Sequence, residues 1–229
     1  MNIVVPPNVP PGFTLFYTTR EFREESLAGL LPVPLVMCNQ VHGATVARWD
    51  ERDKHNSCDA LYSDQKHTAL GIKVADCLPV TMIDPVHSVI ANIHSGWRGA
   101  AQNITAKTID TLERETAFDA AQSLAWLGPS IRVCCFEVGE EVASQFGVGQ
   151  ALSLSPRQAE SSSPRQAESL PYTKPHLDIP AFTRDVLRKR GFADHAITDT
   201  QLCTRCEGSI FHSYRRGANG GRNLAIVAQ

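Results

Sequence analysis

The sequence predicts one mixed α/β domain. Short runs of β-forming residues recur at 13–19, 69–75, 80–83, 88–93 and 123–127. Between and after them, apolar residues fall at helical spacing around 104–112, and a second helical segment runs from about Pro180 to Arg190. Strands interleaved with helices build layers of sheet and helix. The chain has 229 residues, 42% of them apolar and 20% charged, enough for a sizeable core and too hydrophobic for a disordered chain.

In order along the chain, residues 13–19 alternate and predict a strand ending at Arg20. Residues 21–30 suit one or two helical turns, stopped by Pro32 and Pro34. Residues 35–38 form a short apolar strand leading to His42, and the alternating stretch 44–49 is expected to pair with it as a hairpin. Residues 51–57 read as a charged surface loop, and Cys58-Asp59-Ala60-Leu61 then re-enters the fold. The strands at 80–83 and 88–93 are joined by an Asp84-Pro85 turn. Gly99 is expected to open the helix carrying Ile104, Thr108, Ile109 and Leu112. The strand at 123–127 is broken by Gly128-Pro129, and a short helix is expected at 140–146. Residues 151–170 differ in kind, because Ser155-Pro156-Arg157-Gln158-Ala159-Glu160-Ser161 recurs eight residues on. That polar duplication reads as a mobile surface loop inside the one domain. The second helix has Pro180 at its first turn and Gly191 as its C-cap, Ala196-Ile197 is strand-like, and residues 224–228 close the fold.

The net charge of −2 gives no electrostatic reason to expect nucleic acid or an anionic membrane as partner. No apolar run approaches the roughly 18 residues needed to span a bilayer. The stretch MNIVVPPNVPPG lacks basic residues, so neither a signal nor a transit peptide is expected. Seven cysteines without an export signal fit a reducing cytoplasm better than a disulfide framework.

Three clusters carry the chemistry: Gln40-Val41-His42-Gly43, Ala75-Asp76-Cys77-Leu78-Pro79, and His94-Ser95-Gly96-Trp97-Arg98-Gly99. Each follows or ends an apolar segment, and each offers one metal donor, His42, Cys77 or His94. Two imidazoles and a thiolate suit Zn²⁺ with a fourth position left for water or substrate. Spacings of 35 and 17 residues match no zinc finger, so an inert core cysteine and ordinary histidines remain the alternative at this level. A joint site requires the three side-chain tips to converge within about 8 Å, given normal bonds to zinc. The Gly96/Gly99 pair also allows close backbone approach at a helix start.

The three clusters, together with Thr19-Arg20, Asp59-Ala60, Leu127-Gly128-Pro129, Phe136-Glu137-Val138-Gly139, Cys203-Thr204, Ser213-Tyr214-Arg215-Arg216 and Gly221-Arg222, resemble the YfiH-like family. Its members are also called laccase-domain or multicopper polyphenol oxidase-like proteins, and are often described as purine nucleoside phosphorylases. The elements occur in the family's order over nearly the whole chain. The resemblance implies a layered sandwich of mixed sheets flanked by helices, with zinc on His42, Cys77 and His94. It implies phosphorolysis of adenosine, inosine and methylthioadenosine, together with adenosine deamination. The expected partners are thus a nucleoside and phosphate, with the chain a monomer or homodimer. Two departures stand out. Only 19 residues separate Arg20 from Gln40, where the family carries a longer segment, so part of its substrate wall is shortened here. Ser95 stands where the family usually has alanine.

A zinc ion with an open position lowers the pKa of water to about 7 and polarises a substrate oxygen or nitrogen. Asp76 is the nearest carboxylate in sequence, either an acid/base or a partner of a ligating histidine. Arg20, Arg98, Arg215 and Arg216 are candidates for binding phosphate, against the plainer alternative of surface salt bridges. Copper at a His₂Cys site is chemically feasible, but a polyphenol oxidase needs several coppers, and the eight histidines include no His-x-His pair. A rival from another class is a metal-free cysteine hydrolase or amidase, of the peptidoglycan-precursor editing type, with Cys77 as nucleophile and His94 as base. A non-catalytic metal-binding module is a third. Cys203-x-x-Cys206 lacks a second pair at normal zinc spacing, since Cys134-Cys135 is not one, so plain thiols are expected there.

Overall fold

The computed structural model describes residues 2–31, 33–49, 57–146, 152–153, 174–217 and 220–229. The duplicated segment and nearly all of the charged 51–57 stretch lie outside the described residues. Two mixed sheets pack face to face. The first, of five strands, runs β1 (Ile3–Val4), β2 (Thr14–Thr18), β13 (Asn223–Ala228), β6 (Ala69–Val74), β3 (Leu35–Met37). The second, of six, runs β12 (Ile197–Asp199), β9 (Leu124–Leu127), β7 (Leu78–Asp84), β8 (Val89–Ser95), β5 (Ala60–Ser63), β4 (Val46–Arg48). A separate two-stranded antiparallel sheet pairs β10 (Leu152–Ser153) with β11 (His176–Leu177). The chain is a mixed α/β sandwich.

Period-2 alternation explains the layering. On β7 and β8, Leu78, Val80, Met82, Val89, Ala91 and Ile93 face the helical layer, while Ile83 and Ile90 face the other sheet. Leu15, Tyr17, Leu70, Ile72, Ala225 and Val227 of the first sheet complete that inter-sheet core with Leu61 and Trp126. Asn92 is buried in the seam. Its amide donates to the carbonyls of Leu70 (3.1 Å) and Ala225 (2.8 Å) on the opposite sheet, and its oxygen accepts from Thr81 at 3.2 Å. Buried polar groups persist only when bonded in this way.

The helical layer holds α2 (Trp97–Ala101), α3 (Ile104–Glu115), α4 (Glu140–Ala143) and α5 (Ile179–Lys189). Asp178 caps α5 by accepting the Ala181 N–H at 2.9 Å, and Pro180 sits in the first turn, where a missing N–H costs nothing. On the outer face of the first sheet, Leu31 and α1 (Leu27–Leu30) pack on Phe16, Leu224 and Ile226. Among the described residues, no helix is long and apolar enough to cross a membrane.

Two expectations fail. The hairpin between 35–38 and 44–49 does not form, because β3 pairs parallel with β6 in one sheet and β4 pairs parallel with β5 in the other. The connecting residues cross between the sheets, and the N–H groups of Val41, His42 and Gly43 bond to the Asp59 carboxylate instead of to a hairpin partner. The helix after His94 starts at Trp97 rather than Gly99, and it breaks at Asn103, which adopts φ 58° before α3 begins. Asparagine is one of the few residues that accept this left-handed conformation at little cost.

Candidate metal centre

Sheet geometry brings the three clusters together at one end of the inter-sheet seam. His94 continues the β8 face that carries Ile90 and Asn92. Cys77 immediately precedes β7, and the register pairs Leu78 with Ser95 and Pro79 with His94. His42 arrives on the crossover between β3 and β4, in a left-handed conformation with φ 60°. Donor atoms of His42, Cys77 and His94 all lie within 4.8 Å of one another. The two imidazole rings meet edge to face, with centroids 4.8 Å apart.

Asp59, fully buried at the entry to β5, organises this site. One carboxylate oxygen accepts the His42 N–H at 2.9 Å and lies 2.8 Å from His94 Nδ1; the other accepts the Gly43 N–H at 2.7 Å. Burial pushes the Asp59 pKa up, but His94 and these N–H groups outweigh it and hold it below the usual carboxylate value. With Nδ1 turned to Asp59, His94 presents Nε2 to the cleft, as metal-bound histidines do. Burial also pushes the Cys77 thiol up, yet hydrogen bonds from His42 and His94 bring it down to about 7. His94 is depressed by burial and lifted by Asp59 and Cys77 to about 9. The glycines serve close approach. A Cβ at Gly96 would stand 3.0 Å from Cys77 Sγ, and one at Gly99 would stand 2.9 Å from the Gly43 carbonyl oxygen.

Asp76 has a different job from Asp59. Its two oxygens accept the Thr204 hydroxyl at 2.6 Å and the backbone Arg215 N–H at 2.7 Å, and neither bond is to a histidine. It sits at φ 87°, a strained value for a residue with a side chain. The arginines divide. Arg98 and Arg215 line the cleft around the three donors, the first against the Trp97 ring and the second over Phe136, where its guanidinium also donates to the Glu137 carbonyl at 3.1 Å. Arg20 turns away to the Gly208 carbonyl and Arg216 to the Arg205 carbonyl. Arg222 and Lys73 also line the cleft, two cations beyond the four arginines that the sequence offers as phosphate ligands. Gln40 fixes the edge of the cleft through two hydrogen bonds to the backbone of Lys73, at 2.7 and 2.8 Å. The cleft encloses about 630 Å³, within the ordinary range for small-molecule sites.

The donor set fits a tetrahedral ion. Two imidazole nitrogens and one cysteine sulfur lie close enough to share it after small side-chain movements, and the cleft leaves room on the fourth side.

The profile of the family described as "Multi-copper polyphenol oxidoreductase laccase" matches residues 19–229. The chain belongs to this family. Within the laccase family, this chain is similar to an adenosine deaminase, RL5, from an unknown prokaryotic organism, with 34% identity over 206 residues, 84% of this chain and 74% of that protein. It is 31% identical to a purine nucleoside phosphorylase of Streptomyces coelicolor, covering 91% of this chain and 80% of that one. The crystal structure of YlmD from Geobacillus stearothermophilus superposes with a TM-score of 0.79 at 25% identity, covering 96% and 92% of the two chains. Relatives named for nucleoside chemistry thus share a family with a copper name. Among the described residues, only one cluster of metal donors contains histidine, so the multi-copper description finds no second histidine-bearing centre here.

Proposed function

We propose that this enzyme acts on purine nucleosides by phosphorolysis, with adenosine deamination as a parallel activity, using a zinc ion held by His42, Cys77 and His94. The single observation that carries this reading is the convergence of those three donors in a cleft that also holds Arg98, Arg215 and Arg222 beside Trp97, Phe136 and Tyr214. The names of the relatives point the same way.

Bound zinc would act as a Lewis acid toward a substrate oxygen or nitrogen. The chain's own residues do the rest. Trp97, Phe136 and Tyr214 offer faces for a purine ring. Arg98, Arg215 and Arg222 present guanidinium groups to phosphate oxygens. Asp76 fixes the backbone of Arg215, and so the position of that cation. In phosphorolysis, the bond from the sugar C1′ to the purine nitrogen breaks as a bond from C1′ to a phosphate oxygen forms. The purine nitrogen keeps the electron pair and takes a proton.

One observation favours a second reading. Cys77, His94 and Asp59 form a hydrogen-bonded line of thiol, imidazole and carboxylate, the arrangement of a cysteine hydrolase. Elemental analysis of purified protein, run beside a phosphate-dependent inosine assay, separates the two. Bound zinc with phosphate-dependent release of hypoxanthine, the turnover and one equivalent of zinc per chain both lost in Cys77→Ala, supports the phosphorylase. Metal-free protein with no nucleoside turnover, or full turnover in Cys77→Ala, overturns it.

A further inference from the structure

We infer that Cys134, Cys135, Cys203 and Cys206 form a second metal site, binding one tetrahedral ion such as Zn²⁺ that locks together two loops of the cleft wall. The inference is independent of the reaction proposed above.

The four sulfurs all lie within 4.8 Å of one another. Cys134 Sγ is 3.7 Å from Cys135 Sγ, 3.8 Å from Cys203 Sγ and 3.8 Å from Cys206 Sγ; Cys135 and Cys206 sulfurs are 3.4 Å apart. A tetrahedron with metal–sulfur bonds of about 2.3 Å has edges of about 3.8 Å. An iron–sulfur cluster, whose thiolates sit on separate irons, needs a wider spread. A disulfide needs about 2.05 Å, and all four cysteines are free. Cys134 and Cys206 are exposed residues, yet their sulfurs lie 3.8 and 3.4 Å from those of the buried Cys203 and Cys135.

The backbone is arranged for the same end. Cys203-Thr204-Arg205-Cys206 turns on itself, with the Glu207 N–H on the Cys203 carbonyl at 2.8 Å. The facing loop is held by the Thr204 N–H on the Ser130 carbonyl at 3.0 Å, and by the Arg132–Asp199 ion pair at 2.7 and 2.8 Å. These loops carry Ile131 and Phe136 into the cleft, and Thr204 onto Asp76. Four S–H protons would pass to solvent as four metal–sulfur bonds form.

The test strips the full-length protein with chelator under reducing conditions, reloads it with Co²⁺ or Zn²⁺, and counts metal per chain. Cys77→Ala removes a donor from the first site and should still take up one equivalent. With Co²⁺ it should show the charge-transfer and visible bands of a tetrathiolate. The Cys203→Ser/Cys206→Ser double variant should lose one equivalent relative to wild type. Zinc should protect Cys134 and Cys135 of Cys77→Ala from alkylation, so the answer does not depend on the double variant folding. Absence of metal uptake by Cys77→Ala, or a Cys135–Cys206 disulfide in protein purified under reducing conditions, overturns the proposal.

Discussion

His94 Nδ1 lies 2.8 Å from Asp59 Oδ1, and both side chains are withdrawn from solvent. The same carboxylate holds the loop that delivers His42. One buried anion therefore sets the position of two of the three donors. Asp59→Asn leaves at most one acceptor for these bonds and removes the charge that fixes the His94 ring. Metal affinity should fall about 10- to 100-fold, the usual effect of losing a partner behind a ligating histidine. Competition against a fluorescent zinc chelator measures it, and unchanged affinity would refute the role given to Asp59.

Asp76→Asn should behave differently. It disturbs the Thr204 and Arg215 contacts but no histidine. Metal content should match wild type, while KM for phosphate rises about tenfold, roughly 1.4 kcal/mol of lost positioning. Steady-state kinetics with varied phosphate, alongside elemental analysis, decides. Metal loss in this variant would mean that Asp76 supports the donors directly.

Gly96→Ala tests crowding at the sulfur. The backbone at Gly96, φ −71°, accepts alanine, but the new methyl would press on Cys77 Sγ at 3.0 Å. Metal binding should weaken by about tenfold or more with the melting temperature of metal-free protein nearly unchanged. A variant that binds metal as wild type does would show that the sulfur can yield.

Acid sensitivity should trace to Asp84. Its fully buried carboxylate accepts the N–H groups of Val86, His87 and Asp119, and pairs with His87 Nδ1 at 2.8 Å. Burial pushes its pKa up, but His87 and the backbone donors outweigh that and hold it below the ordinary value of 3.8. A depressed pKa in the folded state means that the stabilisation is present above the unfolded value and is lost as pH falls through the folded one. Asp84→Asn should cost about 1–3 kcal/mol at pH 7 and flatten the acid limb of a urea-unfolding series. An unchanged acid limb would place the sensitivity elsewhere.

Local pattern carried much of this architecture. The strands around 69–93 and the helix after Asp178 are legible because each alternates or repeats within its own few residues. What escaped is long-range. Asp59 reads as an ordinary acid after Cys58, and nothing in its neighbours says that His94 waits 35 residues on. The alternation at 44–49 suits a hairpin and a parallel strand equally, and the choice was made by Asp59 taking the backbone donors of the connecting loop. Cys134-Cys135 lacks any familiar ligand spacing, and only the pairing of two distant loops turns it and Cys203-x-x-Cys206 into one cluster. Arg222 escaped for a similar reason, since it reaches the cleft from just before the last strand.

The crossover bearing His42 ties the edge strand β3 of one sheet to the edge strand β4 of the other. Any fluctuation that parts the two sheets along this border must also carry an imidazole away from its companions. With zinc held as proposed, loss of the ion and the first step of prying the sandwich apart are one event, and amides along that border should exchange faster with deuterium in the metal-free protein than in the zinc-loaded one.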